Sequence, residues 1–231
     1  MDRARWTVKG GVNLRAWFGS LRYSEDLDLD VVSGRSDFLR ERMDQVLAAK
    51  AFREMLATQG LTLTRSSKPK QTEKTQRWKL EVTSSSSSIP LHTRVEFSRR
   101  GVQDDFVLEP VRPDVVRPYG VSAPTVNHYT AASALRQKIR ALATRSQPQA
   151  RDVWDLDHLL RTTGAVLQAG SAEERRLAAT AVERALEIRY HAFRSQVVPF
   201  LSPEHQDVFG TRDAWKRIVE LVVDRLSELA P

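Results

Sequence analysis

The chain has 231 residues, with 36 Lys and Arg against 29 Asp and Glu for a net charge of +7, and 41% of it is hydrophobic. A chain of this length buries roughly 70% of the surface its unfolded form exposes, so a core can form without disulfide or metal staples, and collagen-like or wholly disordered architectures are excluded. With no cysteine at all, it can build neither a thiol nucleophile, nor a thiolate zinc site, nor an iron–sulfur cluster.

The basic balance favours an anionic partner such as nucleic acid or nucleotide. No run approaches the roughly 18 consecutive apolar residues of a membrane span, and charges occupy Met1 to Gly10 where a secretory leader is apolar. The expectation is therefore a cytoplasmic protein with no membrane partner.

In chain order, Arg5 to Val8 reads as a short strand, followed by a Gly10-Gly11 turn and a helical stretch from Val12 to Phe18. Tyr23 to Val31 alternates strictly. Ser24, Asp26, Asp28 and Asp30 share one face and Leu27, Leu29 and Val31 the other, which predicts a strand with one buried face. Asp37 to Gln59 has helical spacing through Phe38, Val46, Leu47, Phe52 and Leu56, with Ser36 or Asp37 as N-cap and Gly60 as terminator. Leu61 to Thr64 and Trp78 to Thr83 read as strands. Between them, Ser66 to Arg77 is polar, carries Lys68, Lys70 and Lys74, and is expected to be a mobile surface loop. After the turn material Ser84 to Ser88, Thr93 to Ser98 alternates with Val95 and Phe97 inward and forms a hairpin with the preceding strand.

From Thr130 the period becomes helical: Thr130 to Arg145, Ala150 to Thr162, Ser171 to Phe193 and Thr211 to Leu229, with Ser171 and Glu174 set for a capping box. Trp154, Tyr190, Phe193, Phe200 and Trp215 fall in apolar stripes and are expected in the core. Pro110, Pro113, Pro118 and Pro124 mark a connector. The pattern thus predicts an α+β chain, with an α/β domain at residues 1–118 and an α-helical domain at 119–231.

Four acidic residues crowd into Glu25 to Asp30, and the strand period sets the Cβ atoms of Asp26 and Asp28 about 7 Å apart on one face. Two such carboxylates can hold Mg²⁺, which keeps several waters and completes its octahedron with substrate phosphate oxygens. The same spacing describes a solvated strand edge. Upstream, Lys9-Gly10-Gly11 sits between a strand and a helix, where glycines permit close approach and helix-start amides bind phosphate. Ser24 adds a hydroxyl on the aspartate face. Singly these are a turn, a solvated lysine and a strand-edge hydroxyl; together they describe a triphosphate cradle beside a metal site. No H-x-x-x-H, H-E-x-x-H or G-x-x-x-x-G-K-S/T pattern occurs, so histidine-based chemistry and a P-loop are disfavoured.

The motifs Lys9-Gly10-Gly11-Val12-Asn13-Leu14 and Arg22-Tyr23-Ser24-Glu25-Asp26-Leu27-Asp28-Leu29-Asp30 resemble the AbiEii/AbiGii toxin family of nucleotidyltransferases, within the DNA polymerase β superfamily. The resemblance continues at Ala134-Leu135-Arg136-Gln137-Lys138-Ile139 and at Arg151-Asp152-Val153-Trp154-Asp155-Leu156. It implies a polymerase-β-type α/β domain with a mixed sheet and flanking helices, ahead of the helical domain. It also implies transfer of a nucleoside monophosphate from an NTP with two Mg²⁺ ions and loss of pyrophosphate. Asp26 and Asp28 would be metal ligands and catalytic. A third carboxylate is expected from a neighbouring strand, with Glu96 favoured because Arg94-Val95-Glu96 follows the family's later strand pattern, and Glu81 as competitor.

By the same resemblance Lys138 is catalytic and neutralises phosphate charge; on spacing alone, at the edge of the Leu135, Ile139 and Leu142 stripe, it reads equally as a snorkelling lysine. Asp152 is implied as catalytic, and Arg151 and Asp155 as nucleotide-binding alongside Lys9, Gly10, Gly11 and Ser24. Spacing alone would make Arg151 and Asp155 a surface ion pair. The implied site lies in a cleft between the halves. Arg99, Arg100, Arg136, Arg140, Arg145 and Arg151, with the loop lysines, are expected along one side of it to hold an RNA acceptor by phosphate contacts. Some family members add nucleotides to the tRNA acceptor end, which makes tRNA the leading acceptor and a cognate antitoxin an implied partner. Two readings stay open beside this one: a catalytically inactive nucleic-acid or antitoxin binding module, and nucleotidyl transfer to a protein or small molecule.

Overall fold

Trp6–Lys9 form β1, and in the computed structural model, which describes residues 6–32, 34–102, 104–164 and 170–229, this strand pairs antiparallel with β2 (Asp26–Val31). Arg5, the expected first residue of that strand, lies outside the described residues. The further strands are β3 (Leu61–Gln71), β4 (Thr75–Ser84), β5 (Ser87–Ser98), β6 (Phe106–Pro110) and β7 (Thr125–Tyr129). They form a sheet of order β3-β4-β5-β2-β1-β7-β6. Because β2 pairs parallel with β5 and β1 parallel with β7 while the other pairs are antiparallel, the sheet is mixed.

The chain packs as two units, residues 1–13 with 24–129 and residues 14–23 with 130–231. The first is the sheet unit. It runs to Tyr129, past the expected boundary at 118/119, because β7 follows the proline-rich stretch and completes the sheet beside β1 and β6. That stretch also holds a short helix α4 (Pro113–Val116) and a 3-10 turn (Arg117–Tyr119). The division falls inside α1 (Gly10–Phe18), so Gly10 to Asn13 group with the sheet.

The helix expected over Asp37 to Gln59 is two helices, α2 (Ser36–Ala48) and α3 (Lys50–Thr58), parted at Ala49, whose ψ of 133° is extended. Alanine is the strongest helix former, so no local signal marks the break; the two pieces serve different surfaces. α2 buries Met43 and Leu47, and its Asp44 accepts from the Trp78 indole at 3.2 Å, while α3 runs beside β3. Trp78 is 1% exposed and meets Phe97 edge-on at 5.9 Å in the sheet unit's core. Gly60 ends α3 with φ +67°, a left-handed conformation that suits glycine.

The segment Ser66 to Arg77 is not a loop: β3 and β4 stay paired out to Gln71 and Gln76. As the outermost strand, β3 needs no apolar face to be held. Its exposed Lys68, Pro69 and Lys70, and a register shift between Ser67 and Lys70, are devices of a protected edge.

In the helical unit, α5 (Ala131–Thr144), α6 (Ala150–Thr162), α7 (Ala172–Glu187), α8 (Tyr190–Gln196), α9 (Pro203–Phe209) and α10 (Arg212–Ser227) enclose one core with Leu14. The capping box at Ser171 and Glu174 forms. The helix expected from Ser171 to Phe193 is broken at Ile188, whose N–H closes onto Ala185, and α8 restarts after it. Phe193 stacks on Trp215 at 4.7 Å, and Trp154 packs at 5.2 Å against Phe209, which lies on α9, a helix not expected from the period.

Candidate active site

Cross-strand register builds the site. Lys9 faces Asp28, Asp28 faces Glu96, and Glu96 faces Arg77, a row over four neighbouring strands; in the next row Asp26 faces Arg94 and Arg94 faces Lys79. Partners in register share a face. The opposite face carries Leu29, Phe97 and Trp78, which are buried. The alternation seen in the sequence therefore does place Asp26 and Asp28 together on the polar face of β2.

Each carboxylate there has a basic partner. Arg94 Nη2 lies 2.7 Å from Asp26 Oδ2 and 3.9 Å from Asp28 Oδ1, and Arg77 Nη2 is 2.6 Å from Glu96 Oε2. Lys9 reaches past Asp28 to Asp30, donating to Oδ1 at 2.6 Å, while the Tyr129 hydroxyl donates to Oδ2 at 2.7 Å. Burial pushes the Asp28 carboxyl above its ordinary pKa, aided by Glu96 and Asp26, against the pull of Arg94 and Lys9.

Gly10 opens α1 rather than preceding it, with Gly11 as the second residue. Gly10 has φ +70°, and a Cβ built on it would stand 3.3 Å from Asp28 Oδ2. The start of α1, whose first N–H groups have no intrahelical acceptors, thus lies directly against the carboxylate. Gly10→Ala is expected to destabilise the protein by about 1–2 kcal/mol through its left-handed backbone and to impair any reaction at Asp28. Thermal unfolding together with a transfer assay checks it. Asn13 pins this end of α1, donating to Tyr129 O at 3.1 Å and meeting the buried His128 at 3.0 Å. Ser24 lies ahead of β2, which begins only at Asp26, and its hydroxyl donates to the Asp26 carbonyl at 3.1 Å.

Among the described residues no three His, Asp or Glu side chains stand together as a ready metal-binding set. Glu96, directly across from Asp28, is turned to Arg77. Glu81 lies opposite His92 on β4 and accepts from Thr64 at 2.9 Å, so Glu96 is the nearer third carboxylate. Two hard oxygen donors on one face and the side-chain-free space that Gly10 leaves against Asp28 fit a Mg²⁺ ion that takes its remaining ligands from water and phosphate. Beside Asp26 lies a cavity of about 490 Å³, lined among others by Glu25, Arg65, Lys79, Glu81, His92 and Arg94.

The helical unit contains a separate charge cluster. Lys138 Nζ lies 3.1 Å from Asp152 and 2.6 Å from Asp155, and both carboxylates are fully buried. Arg22 donates to both oxygens of Asp155, at 3.2 and 3.0 Å, and Arg145 Nε lies 2.8 Å from Asp152. Burial opposes the charge on Lys138, but attraction to Asp155 and Asp152 outweighs it and raises its pKa. Burial likewise acts to raise Asp155, yet Lys138 and Arg22 pull it below its ordinary value. The surface pair of Arg151 with Asp155 does not form, because Asp155 faces the interior; Arg151 joins none of these ion pairs. The sequence motif gives Arg22 no role of its own. A signal was present: Asp152 and Asp155 fall on one helical stripe with Leu156 and Leu159, and carboxylates on an apolar stripe require buried basic partners. Of the basic residues expected to face RNA, Arg145 is taken by Asp152 and Lys68 by Asp44 at 2.7 Å.

A family model described as nucleotidyl transferase AbiEii toxin, type IV TA system, matches residues 2–228. Among solved structures, MenT4, a nucleotidyltransferase toxin from Mycobacterium tuberculosis H37Rv, is similar at a TM-score of 0.64 and 20% identity, over 97% of this chain and 76% of that one. JHP933 from Helicobacter pylori is similar at a TM-score of 0.55 and 14% identity, over 97% and 86%. At such identities the likeness speaks to fold. No curated protein matches the chain.

Proposed function

The chain belongs to the AbiEii nucleotidyl transferase toxin family, and on that premise we propose that it transfers a nucleoside monophosphate from an NTP to an RNA acceptor, foremost the tRNA 3′ end, releasing pyrophosphate. The observation that carries this reading is the approach of Gly10, at the start of α1, to the Asp28 carboxylate on the strand that also bears Asp26. A triphosphate on the α1 amides would have its phosphates beside two metal-ligating carboxylates, the arrangement in-line displacement at phosphorus requires.

Asp26 and Asp28 are the residues to hold Mg²⁺, with Glu96 joining them once released from Arg77. Bound there, the ion supplies neutralisation of the phosphate charge. The chain's own groups orient the nucleotide: the amides of Gly11 and Val12 bind phosphate oxygens, and Lys9, fixed by Asp30, keeps the β1 end rigid beneath them. In the helical unit, Lys138, Asp152 and Asp155 hold one another in place, and Arg151, which joins none of their ion pairs, is the residue assigned there to an anion. The acceptor is held through phosphate contacts, which weaken steeply with salt. A cognate antitoxin is the protein partner the family implies. Among the described residues no helix is long and apolar enough to cross a membrane.

The test offers each α-labelled NTP in Mg²⁺ with total RNA, protein or small-molecule acceptors in parallel. A labelled tRNA-sized band is the expected result. Label in protein or a small molecule alone would move the acceptor to that class, and no product from any mixture would favour a binding role.

A further inference from the structure

Arg94 stands where a cation would serve the two aspartates. It is the register partner of Asp26 on the adjacent parallel strand, its Nη2 is 2.7 Å from Asp26 and 3.9 Å from Asp28, and its side chain borders the 490 Å³ cavity. Lys9 cannot take this place, because its ammonium is committed to Asp30, nor can Arg77, which is held by Glu96. A guanidinium in contact with one carboxylate and near a second neutralises the repulsion between them, and a charged hydrogen bond of this kind is about twice as strong as a neutral one.

We propose that Arg94 is a resident counter-ion that a divalent cation must displace from Asp26 and Asp28. This rests on the metal-dependent reading above and adds to it a control on loading. The bare ion binds weakly because it competes with a guanidinium already in place. A nucleotide that brings its own ion also brings phosphate oxygens to accept the displaced Arg94 in the adjoining cavity, whose wall holds Lys79 and Arg65 along with Glu25 and Glu81. Ion and triphosphate therefore enter together, each raising the affinity for the other, as linkage requires. Arg94 is a positioning residue in the free protein and a phosphate ligand in the loaded one.

The test is calorimetric titration with Mn²⁺ alone, without nucleotide, on the wild-type chain and on Arg94→Met, Arg94→Lys and Asp26→Asn. Removing the competitor is expected to tighten Mn²⁺ binding on the order of tenfold in Arg94→Met, with Arg94→Lys between it and the wild type and Asp26→Asn weakest. Melting temperatures give an independent readout: Arg94→Met should be less stable than the wild type in EDTA, and Mn²⁺ should raise its melting temperature more than that of the wild type. Unchanged or weaker Mn²⁺ binding by both Arg94 variants, with binding still dependent on Asp26, would overturn the inference and leave the metal site standing. No Mn²⁺ binding by any of the proteins would overturn both.

Discussion

Asp155→Ala is expected to cost the helical unit about 3–5 kcal/mol, the range for breaking a buried ion pair by removing one partner. The cost arises because Lys138 and Arg22 both turn their charges to Asp155 in the interior, and both side chains are themselves largely buried. Urea unfolding followed by circular dichroism checks this, and a loss under about 1 kcal/mol would show that the cluster relaxes to solvent. Lys138→Ala removes the cation shared by Asp152 and Asp155 and should be destabilised in the same way, so loss of transfer in that variant reports folding as well as chemistry.

The pH dependence has a definite sign. Asp155 lies below its ordinary value of 3.8 in the folded chain, so its contribution is present above that value and lost as pH falls through the lowered one. Lys138 lies above 10.5, so its contribution is present below that value and lost as pH rises through the raised one. The cluster is therefore intact across the neutral range. Acid unfolding below about pH 3.8 should flatten in Asp155→Asn.

Asp26→Ala and Asp28→Ala are expected to lower nucleotidyl transfer by on the order of 10³-fold or more, since either change removes one of two ligands placed for the ion that neutralises the phosphates. Unlike Asp155, these aspartates are partly solvated, with side chains 29% and 30% exposed. Their loss should change stability by no more than about 1 kcal/mol. Transfer measured beside urea unfolding separates the two effects, and wild-type transfer by Asp28→Ala would remove Asp28 from the metal site.

Asp26 and Asp28 were legible in the sequence because strand alternation is a local property: a period of two places them on one face wherever the strand lies. The ends of α6 and the capping box of α7 were legible for the same reason. Ala49 was not, since nothing in an Ala-Ala-Lys run interrupts a helix, and the break answers to which surfaces α2 and α3 cover. The strand character of Ser66 to Gln71 was hidden because an edge strand is held by its neighbour's backbone and needs no apolar pattern. Arg94 and Arg77 were hidden in a different way. Their roles come from the pairing of β5 with β2 and β4, which brings residues from distant parts of the chain into one row, and no spacing along a single strand announces that. Arg22 depended likewise on a partner more than a hundred positions away.

The most direct test of the account is to give the protein one NTP in two forms, labelled at the α- or the γ-phosphate, with Mg²⁺ and RNA. Nucleotidyl transfer predicts α-label in the RNA and γ-label in pyrophosphate, with both products absent from Asp26→Ala. Incorporation of γ-label without α-label, or α-label transfer that survives Asp26→Ala, would contradict it.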